Sequence, residues 1–125
     1  MAFEAFIKVR PNPKAKYQRE TKPYVTVNTK SGKLWLNRVI CEKQRERGYK
    51  FIRLLYDSDA HTMALDFVKH GDILKDWVFN PKPSGQNVSC LTFIRKFDID
   101  RRVQDLGRKR FPAHINNNVV LVHLI

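Results

Sequence analysis

Cysteine is scarce in this chain: Cys41 and Cys90 are the whole complement. Two thiols cannot build a disulfide framework or a four-ligand zinc pattern, and a reducing cytoplasm is the default compartment for such a sequence. Long apolar runs are missing as well. The longest, residues 119–125, is interrupted by His123, whereas a spanning helix needs about 20 apolar residues. No membrane association is therefore expected. The opening MAFEAFIKVR is too short and too soon charged to be a signal peptide. There is no Walker loop, no GxSxG and no GxGxxG. His61, His70, His114 and His123 never fall at HxH or HxxxH spacing. No catalytic residue, metal or cofactor is expected.

Acidic residues are the other shortage. Twelve Asp and Glu stand against 24 Lys and Arg, a net charge of +12. Like charges repel in a compact state, so such an imbalance calls for a counter-charge on a partner. A pI near 10.1 is the usual footprint of nucleic-acid binding. The charge is uneven. Residues 1–53 hold 14 cations and 4 acids (14 − 4 = +10), and residues 54–125 hold 10 cations and 8 acids (10 − 8 = +2). The contact surface is expected in the first half.

What the chain does have is enough apolar material for one core. Hydrophobic residues make up 42% of its 125 positions, so a single domain is expected. Residues 1–10 alternate like a short strand. Pro11, Pro13 and Pro23 then exclude regular helix and central strand, which predicts a basic arm up to residue 23. The spacing predicts strands over 24–28, 33–36, 49–56 and 62–68. A helix capped by Asn37 is expected to run to Gly48. Residues 69–79 are ambiguous, with Ile73, Leu74, Trp77 and Val78 fitting one face of a helical turn. Residues 80–85 are the clearest break. Beyond it, Val88 is expected to enter a helix capped by Ser89, residues 101–110 to form a polar connection, and 111–115 and 119–125 to form strands. The expected fold is α+β, small and strand-rich. Two tandem strand–helix–hairpin units (24–68 and 84–125) would form one partly open barrel or sheet, within a compact domain of residues 24–125.

Residues 24–67 resemble the swapped-hairpin fold of AbrB/SpoVT-type transition-state regulators. The likeness lies in VTVNTKSGKLWLN, RVICEKQRERG and YKFIRLLYDSDAHTMALDF: a strand, a Gly-containing turn, a short strand entering a capped helix, then a hairpin with an acidic tip. The resemblance implies DNA contacts from the first turn and its surroundings, which are Lys30, Lys33 and Arg38 here. It also implies a homodimer, unless two tandem halves complete the barrel as a monomer. The Leu36-Asn37 step replaces the aliphatic-Pro step usual in that family. The size, basicity and lack of enzyme motifs are also similar to accessory proteins of bacteriophages or mobile elements.

The residues themselves offer three cation groups. Lys14, Lys16, Arg19 and Lys22 surround Tyr17 in the arm, where an aromatic could stack on a base. Arg45, Arg47, Lys50 and Arg53 follow the first helix. Their guanidinium groups suit phosphate oxygens, and the interleaved Glu42 and Glu46 suit a solvated helix end as well. Arg101, Arg102, Arg108, Lys109 and Arg110 form a patch that Asp98, Asp100 and Asp105 partly neutralise, which predicts a salt-bridged loop or, as the alternative, an extension of the binding groove. Trp35 and Trp77 are expected in the core or at a junction. The function these features predict is a non-enzymatic nucleic-acid-binding protein, DNA before RNA, with a regulatory or architectural role. One alternative is a phage-encoded inhibitor of a host nucleoprotein enzyme such as a defence nuclease or polymerase. A second is a metal-dependent nuclease using Asp57, Asp59 and Asp66.

Overall fold

The computed structural model describes residues 21–125, so the expected strand over 1–10 and all of the arm before Thr21 lie outside it. Eight strands run in chain order as β1 (Tyr24–Asn28), β2 (Lys33–Asn37), β3 (Phe51–Asp57), β4 (Thr62–Val68), β5 (Trp77–Val78), β6 (Gly85–Ser89), β7 (Arg110–Asn116) and β8 (Val119–His123). Among the described residues three helices join them: α1 (Arg38–Glu46), α2 (Leu91–Lys96) and α3 (Ile99–Leu106). None of the helices among the described residues is long and apolar enough to cross a membrane.

Period-two alternation builds the strands. In β1, Val25 and Val27 are buried while Tyr24, Thr26 and Asn28 face outward; in β2, Leu34 and Leu36 are buried while Lys33 and Trp35 face outward. Phe111 and Ala113 of β7, Val120 and Val122 of β8, Met63, Leu65 and Phe67 of β4, and Ile52 and Leu54 of β3 complete an inward lining. All pairings are antiparallel, in the order β5-β3-β4-β8-β7-β1-β2-β6. The sheet curls until its two edges meet. There, side chains replace the ladder: Trp77 Nε1 donates to the Ser89 carbonyl at 2.7 Å, and Gln86 Nε2 donates to the Val78 carbonyl at 2.9 Å. The result is a nearly closed barrel of mixed α+β character. Helices supply further apolar side chains to its core, through Ile40 and Cys41, Phe93 and Ile94, and Ile99 and Val103.

The strand order has an internal regularity. Exchanging β1 with β5, β2 with β6, β3 with β7 and β4 with β8, then reading the ring backwards, reproduces it. The β3–β4 hairpin sits between β5 and β8, and the β7–β8 hairpin sits between β4 and β1. Each half of the chain therefore lends its hairpin to the other half.

Asn37 caps α1 as expected. Its Oδ1 accepts from Ile40 N at 3.4 Å and from Tyr24 N at 3.2 Å, while its Nδ2 donates to the Lys22 carbonyl at 2.9 Å. One buried amide thus starts the helix and fixes the incoming chain. Three expectations need correction. Residues 85–89 are strand, not helix, because Val88 faces inward opposite Leu34 and the residues beside it pair along β2; the helix begins only at Leu91, with no side-chain cap at Cys90. Residues 101–110 are not a connection. Ile99 and Val103, four apart, put one apolar stripe of α3 on the core. Ile73 and Leu74 are not on a shared face with Trp77 and Val78: they stand in an exposed turn, and Trp77–Val78 is β5.

Candidate nucleic-acid interface

β7, β1, β2 and β6 are four adjacent strands, and none of them contains a carboxylate. The same holds for the turns that join β1 to β2 and β5 to β6. Three spans of sequence, 21–41, 77–97 and 106–125, have no Asp or Glu. Register brings them together: Arg110 pairs with Thr26, Thr26 with Trp35, and Trp35 with Asn87. This row crosses the outer surface from β7 to β6. Lys33 pairs with Asn28 on one side and Ser89 on the other. Lys30 in the first turn and Lys82 in the β5–β6 turn are exposed beside it. The face is therefore positive without internal compensation, and a phosphate approaching it meets no repelling group of its own.

Two aromatic residues are set into the same surface. The Arg110 guanidinium lies 4.1 Å from the Tyr24 ring centroid, a cation–π contact that leaves N–H donors at the guanidinium edge. Trp35 is half-buried, and its indole lies over Gly85: a Cβ on that glycine would come within 2.7 Å of Trp35 Cζ2 and 2.4 Å of the Leu36 carbonyl oxygen. At φ +139° the backbone there also requires glycine. Of the core or junction position expected for Trp35, the core is corrected, since the parity of β2 sends it outward, while its contact with Gly85 of β6 lies where the two halves of the chain meet. Trp77 is half-buried at the seam, where its N–H is used by Ser89. Trp35 separates two open clefts. One, of about 400 Å³, is lined by Thr26, Asn28, Ser31, Lys33, Trp35 and Asn87. The other, of about 310 Å³, is lined by Trp35, Asn80, Lys82 and Gln86 among others.

The expected site residues divide among different surfaces. Lys30 and Lys33 lie on the acid-free face, and Lys22 is exposed two residues before Tyr24. Arg38 opens α1, 3.9 Å from Glu42. Arg45 and Arg47 are exposed near the end of that helix, with Arg47 donating to the Asn117 carbonyl. Lys50 is exposed ahead of β3. Arg53 is already engaged, since its Nε and Nη2 donate to the two oxygens of Asp76 at 3.0 and 3.1 Å. Across the seam, β5 and β6 stand between Arg53 on β3 and β2. Lys14, Lys16, Tyr17 and Arg19 lie outside the described residues.

Lys82, Trp35 and Tyr24 were not legible as candidate site residues one at a time, and Arg110 was legible only as a member of the second cation patch. The three carboxylate-free spans were the available signal. The second cation patch also differs from a salt-bridged loop. Arg102 donates to the Leu124 carbonyl at 2.7 Å, Arg108 donates to the Ile125 carbonyl, and Arg110 stacks on Tyr24.

Other chemistry on the molecule is accounted for locally. Burial pushes both the Cys41 and Cys90 thiols up to about 12, which leaves them protonated and poor nucleophiles. Asp57 accepts from the Asp59 and Ala60 amides in its own turn. Asp66 accepts from Asn118 Nδ2 at 2.7 Å and pairs with Arg53, four positions along the hairpin from Asp57. Asp57, Asp59 and Asp66 thus do not converge, and no group of three or more His, Cys, Asp or Glu among the described residues is arranged to hold a metal ion. No protein-family model matches the chain, and no curated protein or solved structure matches it.

Proposed function

We propose that this chain is a non-enzymatic nucleic-acid-binding protein, of DNA before RNA, that grips phosphates across the face of β7, β1, β2 and β6. The observation that carries the reading is the absence of any carboxylate from four adjacent strands that expose Lys33, Arg110, Trp35 and Tyr24. A surface selected only for solubility intersperses both signs, as α1 does with Arg38, Glu42, Lys43, Arg45 and Glu46. We also propose that the barrel is a single-chain form of the swapped-hairpin arrangement, made of two tandem strand–strand–helix–hairpin units. The exchanged hairpins and the reversible strand order support this. The second unit then starts at β5, ahead of Ser84.

The test is a salt titration of binding to DNA. About six neutralised phosphates give a log–log slope of roughly −5 on duplex and a shallower one on single strands. Replacing Lys30, Lys33, Lys82 and Arg110 by Ala is expected to flatten the slope by about 0.7–0.9 per lost contact. The same change at Lys43, Lys69 and Lys75 leaves it nearly unaltered. Absence of binding at low salt, or equal effects of both sets, would overturn the reading.

One observation favours a second reading, an inhibitor that docks on a protein. Ile73 and Leu74 are 76% and 90% exposed. Asp72 holds their turn through its carbonyl, which accepts from Lys75 N and Asp76 N, and through its Oδ1, which accepts from Leu74 N. Lys69, His70 and Lys75 flank the pair, so the complementary surface is an apolar recess with an acidic rim.

A further inference from the structure

The acid-free face has a feature that phosphate binding alone does not need. It presents two open clefts that share the Trp35 indole as a wall, and amides line both. Asn28 and Asn87 line one, and Asn80 and Gln86 line the other. Asn87 pairs directly with Trp35. No side-chain partner among the described residues engages the Asn87 amide, the Trp35 indole N–H or the ammonium groups of Lys33 and Lys82. Lys33 lies at one cleft and Lys82 at the other. Resting on the proposed nucleic-acid reading, we propose that this face binds single strands, with the side of the Trp35 indole turned away from Gly85 as the stacking platform for one base and Lys33 and Lys82 on the flanking phosphates.

The argument turns on what each form of nucleic acid offers. A duplex hides the faces of its bases, so an aromatic set flush into a sheet has nothing to stack on. Reading a duplex also calls for an element that enters a groove, and this face is made of strands and short turns. A single strand exposes both the faces and the Watson–Crick edges of its bases. A positive surface with aromatic platforms is the arrangement that holds it. Gln86 is used at the seam and Asn28 Oδ1 by Ser31 N, so the Asn80 and Asn87 side-chain amides remain to supply a donor and an acceptor each, which suits any base edge and predicts little sequence preference. Stacking and phosphate contacts do not sense the 2′-hydroxyl, so DNA and RNA strands are both accepted.

The chain has two tryptophans, which makes the test direct. Trp77→Phe leaves Trp35 as the sole indole, and Trp35→Phe leaves Trp77. Anisotropy titrations would use the full chain with oligothymidylate, a mixed-sequence DNA strand, the matching RNA strand and the matching DNA duplex at low salt. Single strands are expected to bind at least about tenfold more tightly than the duplex. Their binding is expected to quench the emission of Trp77→Phe and to leave that of Trp35→Phe nearly unchanged. Trp35→Leu, checked for folding by circular dichroism, is expected to weaken single-strand binding by roughly tenfold, because stacking is lost, and to keep the salt slope, because the lysines remain. Trp35→Phe, which retains a smaller ring, falls between. Binding of duplex as tightly as single strands, or single-strand binding without any change in Trp35 emission, would overturn this proposal and leave the nucleic-acid reading standing. Failure of every nucleic acid to bind would remove both.

Discussion

Asp76 is the buried carboxylate among the described residues, and its chemistry is local. Its side chain is fully buried against Arg53, whose own side chain is half in solvent. The Arg53 guanidinium first, and the Asp72 N–H second, hold the Asp76 carboxyl below the usual carboxylate range. A depressed carboxylate stabilises the fold fully above its unfolded value of about 3.9, and that contribution is lost as pH falls through its lower folded value. Asp76→Asn is therefore expected to lower stability at neutral pH by about 1–2 kcal/mol and to flatten the acid limb of the stability–pH curve, both read by urea unfolding. Because Arg53 is spoken for, Arg53→Ala is expected to leave nucleic-acid affinity within about twofold. Arg53 could not be told apart from Lys33 in the sequence. Both are cations on strands, and the group that occupies Arg53 lies 23 positions later. Lys30 and Lys33 were singled out by the resemblance of residues 24–67 to swapped-hairpin regulators, which implied contacts from the first turn and its surroundings, and not by any local signal of their own.

Strands that alternate strictly were readable, and elements whose partner decides them were not. β1 and β4 fall where periodicity puts them, and α1 starts at its Asn37 cap. β6 shows only one aliphatic residue, Val88, so nothing local distinguishes it from a helix entry. Its identity comes from five paired positions on β2. α3 was hidden by charge, since Arg101, Arg102 and Asp105 mask the Ile99–Val103 stripe. That helix also begins awkwardly. Asp98 sits at φ +53° in the left-handed region and makes no side-chain cap. A β-carbon is disfavoured there, and glycine is not. Asp98→Gly is expected to raise stability by roughly 0.5–1 kcal/mol, visible as a higher urea midpoint with an unchanged m-value. Gly85→Ala is expected to do the opposite. The added carbon meets the Leu36 carbonyl and the Trp35 ring, so stability and single-strand binding fall together.

The barrel as a whole is closed by exchange. Of the pairings between strands, β1 with β2 and β3 with β4 stay in the first half, and β7 with β8 stays in the second. The β1–β7, β2–β6, β3–β5 and β4–β8 pairings all cross between halves. Residues that fill the interior are divided the same way, with Phe67 packing edge-on to Phe79 at 5.0 Å and Val120 and Val122 standing opposite Leu65 and Met63. Neither half retains a sheet of more than two neighbouring strands without the other, and a lone hairpin is marginal in water. The turn between β5 and β6 is nonetheless exposed at Lys82, Pro83 and Ser84, so a protease recognition sequence inserted there would be cut. A single cut is expected to leave a complex that elutes at the size of the intact chain and unfolds in one transition at lower urea concentration. The crossing pairings still hold the pieces, but their association becomes bimolecular. Separated in denaturant and returned to buffer singly, each piece is expected to lack dispersed amide resonances, and mixing the two is expected to restore them along with the quenching of Trp35 by single strands. Two pieces that each fold alone would mean that the crossing pairings are incidental, and that two small domains have been read as one barrel.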